Sequence, residues 1–196
     1  MARNILKVKL EDDKNSFLRT RIEQGGPIHL EDLNIETYKS RKGFRTNILD
    51  LSGNYQKKAV ELSKKYNRLS AIKGFEKVES GLLDAILNAH QHGNKFNLEK
   101  KIKLSYKIDD EKARFAVIDE GGILEPEFYT FLMRHHQGDH VTNGFINYYN
   151  WSGKEKKEPN LGAGTFIIHT YFDKVKYFKS KNNGLVIHMS KKKENI

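Results

Sequence analysis

The 196-residue sequence contains no cysteine, only three prolines and one tryptophan. Without cysteine there is no disulfide framework, no thiol nucleophile, and no Cys-ligated zinc or iron–sulfur site. No run of 18 apolar residues occurs, so no segment reads as a membrane-spanning helix. The first residues alternate charged and apolar side chains and lack the apolar run of a secretory signal. A cytoplasmic protein of one ordinary-sized domain is the simplest expectation. Acid is also scarce relative to base: 35 Lys plus Arg face 25 Asp plus Glu, a formal charge of +10. Such an excess invites a nucleic-acid reading. It is spread thinly, however, which suits a solvated lysine-rich surface. The one concentration is seven lysines and no acid between Lys174 and Lys193.

What is present is a readable order of elements. Residues 5–10 alternate like a strand and could pair with 17–22, before Gly25, Gly26 and Pro27 break the chain. Residues 1–43 are therefore read as an N-terminal extension. Residues 44–51 read as a strand, with Ser52 as the cap of a helix over 54–67 whose face is Tyr55, Ala59, Leu62 and Tyr66. A second helix spans about 75–92, with Val78, Leu82, Ala85, Ile86 and Ala89 inward and Gly93-Asn94 as its stop. Strands follow at 101–108 and 112–118, then an irregular stretch over 127–159. A short helix (165–172) and strands at 174–179 and 184–190 complete the chain. Early helices and antiparallel strands predict an α+β two-layer sandwich: a mixed, mostly antiparallel sheet with helices on one face.

Three constellations could carry chemistry. Asp84, Asn88 and His92 stand four residues apart on the second helix, so they share one stripe. A carboxylate and a carboxamide one turn apart can hold hydrated Mg²⁺, although a solvated helix face gives the same pattern. Asp119-Glu120-Gly121-Gly122 follows a strand directly. An Asp there can accept a bond from an exocyclic amine, and glycines let backbone approach a flat ring; an acidic turn is the plainer account. Asn160-Leu161-Gly162-Ala163-Gly164 leads into the short helix at Thr165. Its N–H groups can cradle an anion, or it is simply a turn. Neither a dinucleotide fingerprint nor a P-loop is present.

Taken in order, these motifs resemble the Bergerat-fold (GHKL) ATPase superfamily. The resemblance spans about residues 44–191. Within it, Asp119-Glu120-Gly121 and the run from Leu161 to Val175 look most like the anti-sigma factor and serine-protein kinase branch. The resemblance implies a histidine kinase-like ATP-binding domain over 44–196 with a long lid at 127–159. It implies that Asn88 coordinates Mg²⁺ on the ATP phosphates, and that Asp84 stands where the family places a catalytic glutamate. Asp119 would bind the adenine amino group, Gly121 and Gly122 would shape the base pocket, and Gly162, Ala163, Gly164 and Thr165 would hold the phosphates. Such proteins bind a sigma factor, phosphorylate a serine on an antagonist protein, and often dimerise. ATP, rather than nucleic acid, becomes the expected anion.

Three residues depart from the family pattern. Asp84 is shorter than glutamate by one C–C bond of about 1.5 Å, Ile123 replaces a glycine, and Leu185 replaces a threonine. They favour a second reading, a non-catalytic binding module with a vestigial or structural nucleotide site. The catalytic half of a histidine kinase fits less well, because little chain precedes residue 44 for a phosphoacceptor helix pair. The 127–159 stretch also holds seven aromatics: Phe128, Tyr129, Phe131, Phe145, Tyr148, Tyr149 and Trp151. They would suit either a docking surface or a lid packed on its own core. His136 and His140 have the i, i+4 spacing of zinc ligands, which by itself falls short of a site.

Overall fold

The computed structural model describes residues 26–31, 35–75, 77–136, 145–155 and 162–193. The strand pair expected at 5–10 and 17–22 lies outside the described residues. Strand β1 is Ile28–His29 and β2 is Arg45–Leu49. Helix α1 covers Tyr55–Ala71, one turn longer than its apolar pattern suggests. Its buried positions are Ala59, Ser63, Tyr66 and Ser70. The two serines hide among apolar neighbours because their hydroxyls donate to the Val60 and Tyr66 carbonyls. The cap is Asn54, whose side chain accepts from the Lys57 N–H at 3.0 Å, and not Ser52. Ser52 instead donates to the Asp50 carboxylate, which also holds Lys58 at 2.7 Å.

Helix α2 covers Glu79–Asn88 and buries Gly81, Leu82, Ala85 and Ile86. It then widens into a π-helical turn, Ala89–Gly93, closed by the Asn94 N–H on the Ala89 carbonyl. Strands β3 (Ile102–Ile108) and β4 (Lys112–Ile118) form a hairpin. Its turn is fixed by Asp109, which accepts from the Glu111 and Lys112 amides and from Arg114. Strand β5 (Ile123–Leu124) pairs antiparallel with β1. The following stretch, expected to be irregular, holds helices α3 (Pro126–His136) and α4 (Tyr148–Ser152). Helix α5 (Gly164–Tyr171) and strands β6 (Lys174–Lys179) and β7 (Leu185–Lys192) complete the described chain.

The five-stranded sheet has the order β2-β3-β4-β7-β6, every neighbouring pair antiparallel. One row of the register runs Tyr106, Phe115, Met189, Val175 across four strands. This row faces the helices: Tyr106 meets Tyr66 of α1 edge-on at 5.1 Å, and Phe115 meets Phe172 at the end of α5 at 6.1 Å. Alternation sends Lys103, Ser105, Lys107, Arg114 and His188 to the opposite face. There the segment 35–44 lies across the sheet, with Tyr38 against Phe178 and Phe44 against His188. An isolated parallel bridge from Thr37 to Lys179 ties this segment to the sheet edge. The architecture is thus the α+β, mostly antiparallel sandwich expected.

Phe115 is fully buried at the centre of the row. Phe115→Ala is expected to lose about 3–5 kcal/mol of unfolding free energy, read from urea midpoints. A loss below about 1 kcal/mol would place the core elsewhere.

Candidate functional site

Asp84 and Asn88 do share one face of α2, and that face meets the start of α5. A methyl placed on Gly164 would sit 3.2 Å from Asp84 Oδ1 and 3.3 Å from both Asn88 amide atoms. A side chain at 164 would make Asp84 and Asn88 give by a few tenths of an ångström. Ala163 precedes that turn without a side-chain cap, so no cap side chain satisfies the first N–H groups of α5. Burial raises the Asp84 carboxyl to about 6. Thr165, next in line, is buried.

The far end of the same helix meets Asp119. A methyl on Gly93 would overlap the Asp119 carboxylate, one on Gly121 would strike the Gly93 carbonyl, and one on Gly184 would strike the Asp119 backbone carbonyl. Gly93 is therefore needed for close approach and not as a left-handed helix stop; the residue after it, Asn94, remains right-handed. Asp119 Oδ1 accepts the Gly121 and Leu185 amides, each at 2.9 Å. Oδ2 accepts no bond from the described residues. Burial raises this carboxyl to about 6, against the two amide bonds and Lys100, which lower it.

Two of the departures noted above resolve locally. Gly122, at φ +80°, takes the left-handed position, so Ile123 is free to pair with His29 in β5. Leu185 serves Asp119 through its backbone N–H, which any residue except proline carries. Asn94 is a positioning residue that the sequence reading passed over as a helix stop. Its amide donates to the Lys100 and Lys101 carbonyls, and its oxygen accepts the Glu120 N–H at 2.9 Å. It thereby ties α2, β3 and the Asp119 turn together.

From Asp84 to Gly93 the chain advances nine positions, the last five of them in the widened turn. Helices α3 and α4, in the stretch expected to be a lid, pack beside the Asp119 end. His92 stacks on Phe128 at 5.6 Å and meets Tyr148 at 6.4 Å. Tyr148 donates its hydroxyl to Glu125, which also holds Lys154 at 2.6 Å. The Tyr148 N–H donates to the Gly162 carbonyl at 2.8 Å, and Gly162 is left-handed at φ +68°. So the lid clasps the glycine loop directly. Phe128, Phe131 and Tyr148 are buried in the main core, and the aromatic lid is chiefly packing; Phe145, half exposed, lies against Phe166.

A family model for the histidine kinase-like ATPase domain matches residues 67–191, more than half of the chain. The chain belongs to that family. No curated protein matches it. The match starts within α1 and ends in β7, so it takes in the Asp84–Asn88 stripe, the Asp119 turn, the lid and the glycine loop of this histidine kinase-like ATPase domain. Among the described residues, no cluster of three His, Asp or Glu forms a metal site. His140 lies outside the described residues, while His135 turns Nδ1 to the Phe131 carbonyl at 2.9 Å and its ring toward His169. No described helix is long and apolar enough to cross a membrane.

Two predictions follow from this geometry. Gly121→Ala is expected to lower the urea midpoint well beyond Gly53→Ala, which carries only the strain of φ +75° with nothing within 4 Å; equal losses would mean the Gly93–Gly121 contact is absent. The second concerns pH. A carboxyl raised from about 4 in the unfolded chain to about 6 in the native state binds its proton more tightly when folded. Its favourable contribution is full below about pH 4 and is lost as pH rises to about 6. Asp84→Asn should therefore raise the urea midpoint at pH 7 and match the parent at pH 4. An offset independent of pH would refute the burial.

Proposed function

We propose that this chain is a Mg-ATP-binding regulator, an anti-sigma-factor-type serine-protein kinase that grips and switches a protein partner in the cytoplasm, acting as a homodimer. One observation carries the reading. A single helix face presents a carboxylate and a carboxamide to the start of a glycine-led helix, and its other end abuts a strand-end carboxylate ringed by glycines. A nucleotide has the same polarity, anionic phosphates at one end and a base with an exocyclic amine at the other.

The donor set fits the ligand. Asp84 and Asn88 offer hard oxygens of the kind Mg²⁺ takes alongside phosphate and water. The missing side chain at Gly164 sets the start of α5 beside Asp84 and Asn88, so a phosphate held there would meet both. Asp119 Oδ2 suits an adenine amino group, with Gly121 and Gly122 beside it. Gly162, Ala163, Gly164 and Thr165 line the phosphate end. Bound Mg-ATP would supply the transferable phosphoryl group and the charge-neutralising ion.

The chain's own part would be positioning and proton handling. Asn88 would fix the metal-bound phosphates. Asp84, ionised above about pH 6, would accept the proton of an acceptor serine hydroxyl, and its raised pKa suits that task near neutrality. Its shortness is offset by the closeness of α5, since Oδ1 already stands beside Gly164. The non-catalytic module keeps less support, because Ile123 and Leu185 leave the Asp119 turn intact.

Thermal melting with ATP and Mg²⁺ tests the binding. A ligand at a hundred times its Kd adds about 2.7 kcal/mol. Asn88→Ala should lose most of that gain, whereas Asp84→Asn should keep it and abolish transfer of labelled phosphate to a serine-bearing protein. No stabilisation by Mg-ATP would remove the ATP reading. Stabilisation without any labelled product would leave the binding module.

A further inference from the structure

The sheet face turned away from the helices carries a cavity of about 430 Å³. That volume falls within the roughly 300–1,000 Å³ typical of small-ligand sites. The segment 35–44 forms one wall, strands β2 to β4 the floor, and the β6–β7 turn the other wall. Lys39, Lys103 and Lys181 line it, with Glu120 as the one acidic side chain. Glu120 is already committed: it lies 3.5 Å from Lys103 and accepts the Lys101 N–H at 3.0 Å and the Asn182 amide at 3.3 Å. Among the described residues, neither Lys39 nor Lys181 has an ion-pair partner. The lining thus keeps a positive excess. Arg41 and Lys176, which act on His188 of the same face, add to that field.

The hydroxyls are arranged as donors. Thr46 donates to Ser105 Oγ at 3.0 Å, and the Ser105 and Ser40 hydroxyls lie beside the Tyr38 phenol, which carries a proton of its own. Ser180 Oγ likewise accepts two amides, from Asn182 at 3.2 Å and from Gly184 at 2.9 Å, and so keeps its proton. Uncommitted cations joined to hydroxyls of this kind suit an acceptor-only anion.

We propose that this cavity is a second anion site, which takes a phosphate group, free or on a small ester. It is separate from the proposed nucleotide site. Asp119 and Glu120 are neighbours in sequence, yet the Asp119 carboxylate lies against Gly93 on the helix side and the Glu120 carboxylate lines the cavity. The seven lysines near the C-terminus gain a partial account, since Lys181 sits on its rim.

The test is amide NMR of the full chain, titrated with inorganic phosphate and with glycerol 3-phosphate at constant ionic strength. Saturable shifts at Ser40, Ser105, Ser180 and Asn182 are expected. The exposed-site double variant Lys39→Ala, Lys181→Ala should weaken them about tenfold without changing the melting temperature. Asn88→Ala should leave them as they are. Shifts confined to residues 162–165 and lost in Asn88→Ala would overturn the proposal, because phosphate would then be entering the other site. Linear shifts matched by potassium chloride would overturn it as well.

Discussion

The structure turns on how closely the end of one helix approaches the end of one strand. Asp119 sits where β4 stops, and three glycines, Gly93, Gly121 and Gly184, give it room. They belong to three different elements: the π-helical end of α2, the turn after β4, and the start of β7. A Cβ on Gly121 or Gly184 would strike backbone, which no rotamer change relieves, and one on Gly93 would displace the Asp119 carboxylate itself. Asn94 locks the junction with three hydrogen bonds, to Lys100 and Lys101 at the entry to β3 and to Glu120. The widened turn at Ala89–Gly93 is the local adjustment that accompanies this approach, and single π turns recur at functional positions.

With one end of α2 fixed in this way, its polar stripe has only one direction to run. The apolar side of the helix, Leu82, Ala85 and Ile86, is committed to the sheet and to α5. The stripe through Asp84 and Asn88 therefore opens toward the start of α5 and the glycine loop. Gly81 completes the fit from the other side, since a methyl there would press on the Phe172 ring. Helices α3 and α4 then join by ordinary core packing. Phe128, Phe131 and Tyr148 bury apolar surface, a gain of about 25 cal/mol per Å², while Glu125, Tyr148 and Lys154 satisfy the polar rim. A lid built this way ties its own stability to the loop it clasps through Gly162.

Much of this was legible in the sequence. The period-four run Asp84, Asn88, His92 and the strand-then-Asp119 order survive as geometry, because helical spacing and strand ends are set by backbone periodicity. What escaped was decided by contacts distant in sequence. Gly93 looks like a helix stop from its neighbours and is explained only by Asp119, 26 residues later. Ser63 and Ser70 look exposed until their hydroxyls are seen bonding within the helix. Asn54 outcompetes Ser52 as cap because Asp50 and Lys58 draw Ser52 away. The lid helices were hidden by aromatics that could equally have faced a partner, a choice that only tertiary packing makes.

The two buried carboxyls bring stability and chemistry into opposition. Asp84 and Asp119 are each raised to about 6 by burial, so both oppose folding as they ionise. Asp119 recovers part of that through two backbone amides, which fix its orientation along with its charge. Asp84 has burial as its only resolved influence, so its charge is held without compensation from the protein. A purely structural side chain in that place would be better apolar or amidated. An uncompensated carboxylate beside the uncapped start of a helix makes physical sense where a cation or a proton donor arrives from outside to meet it.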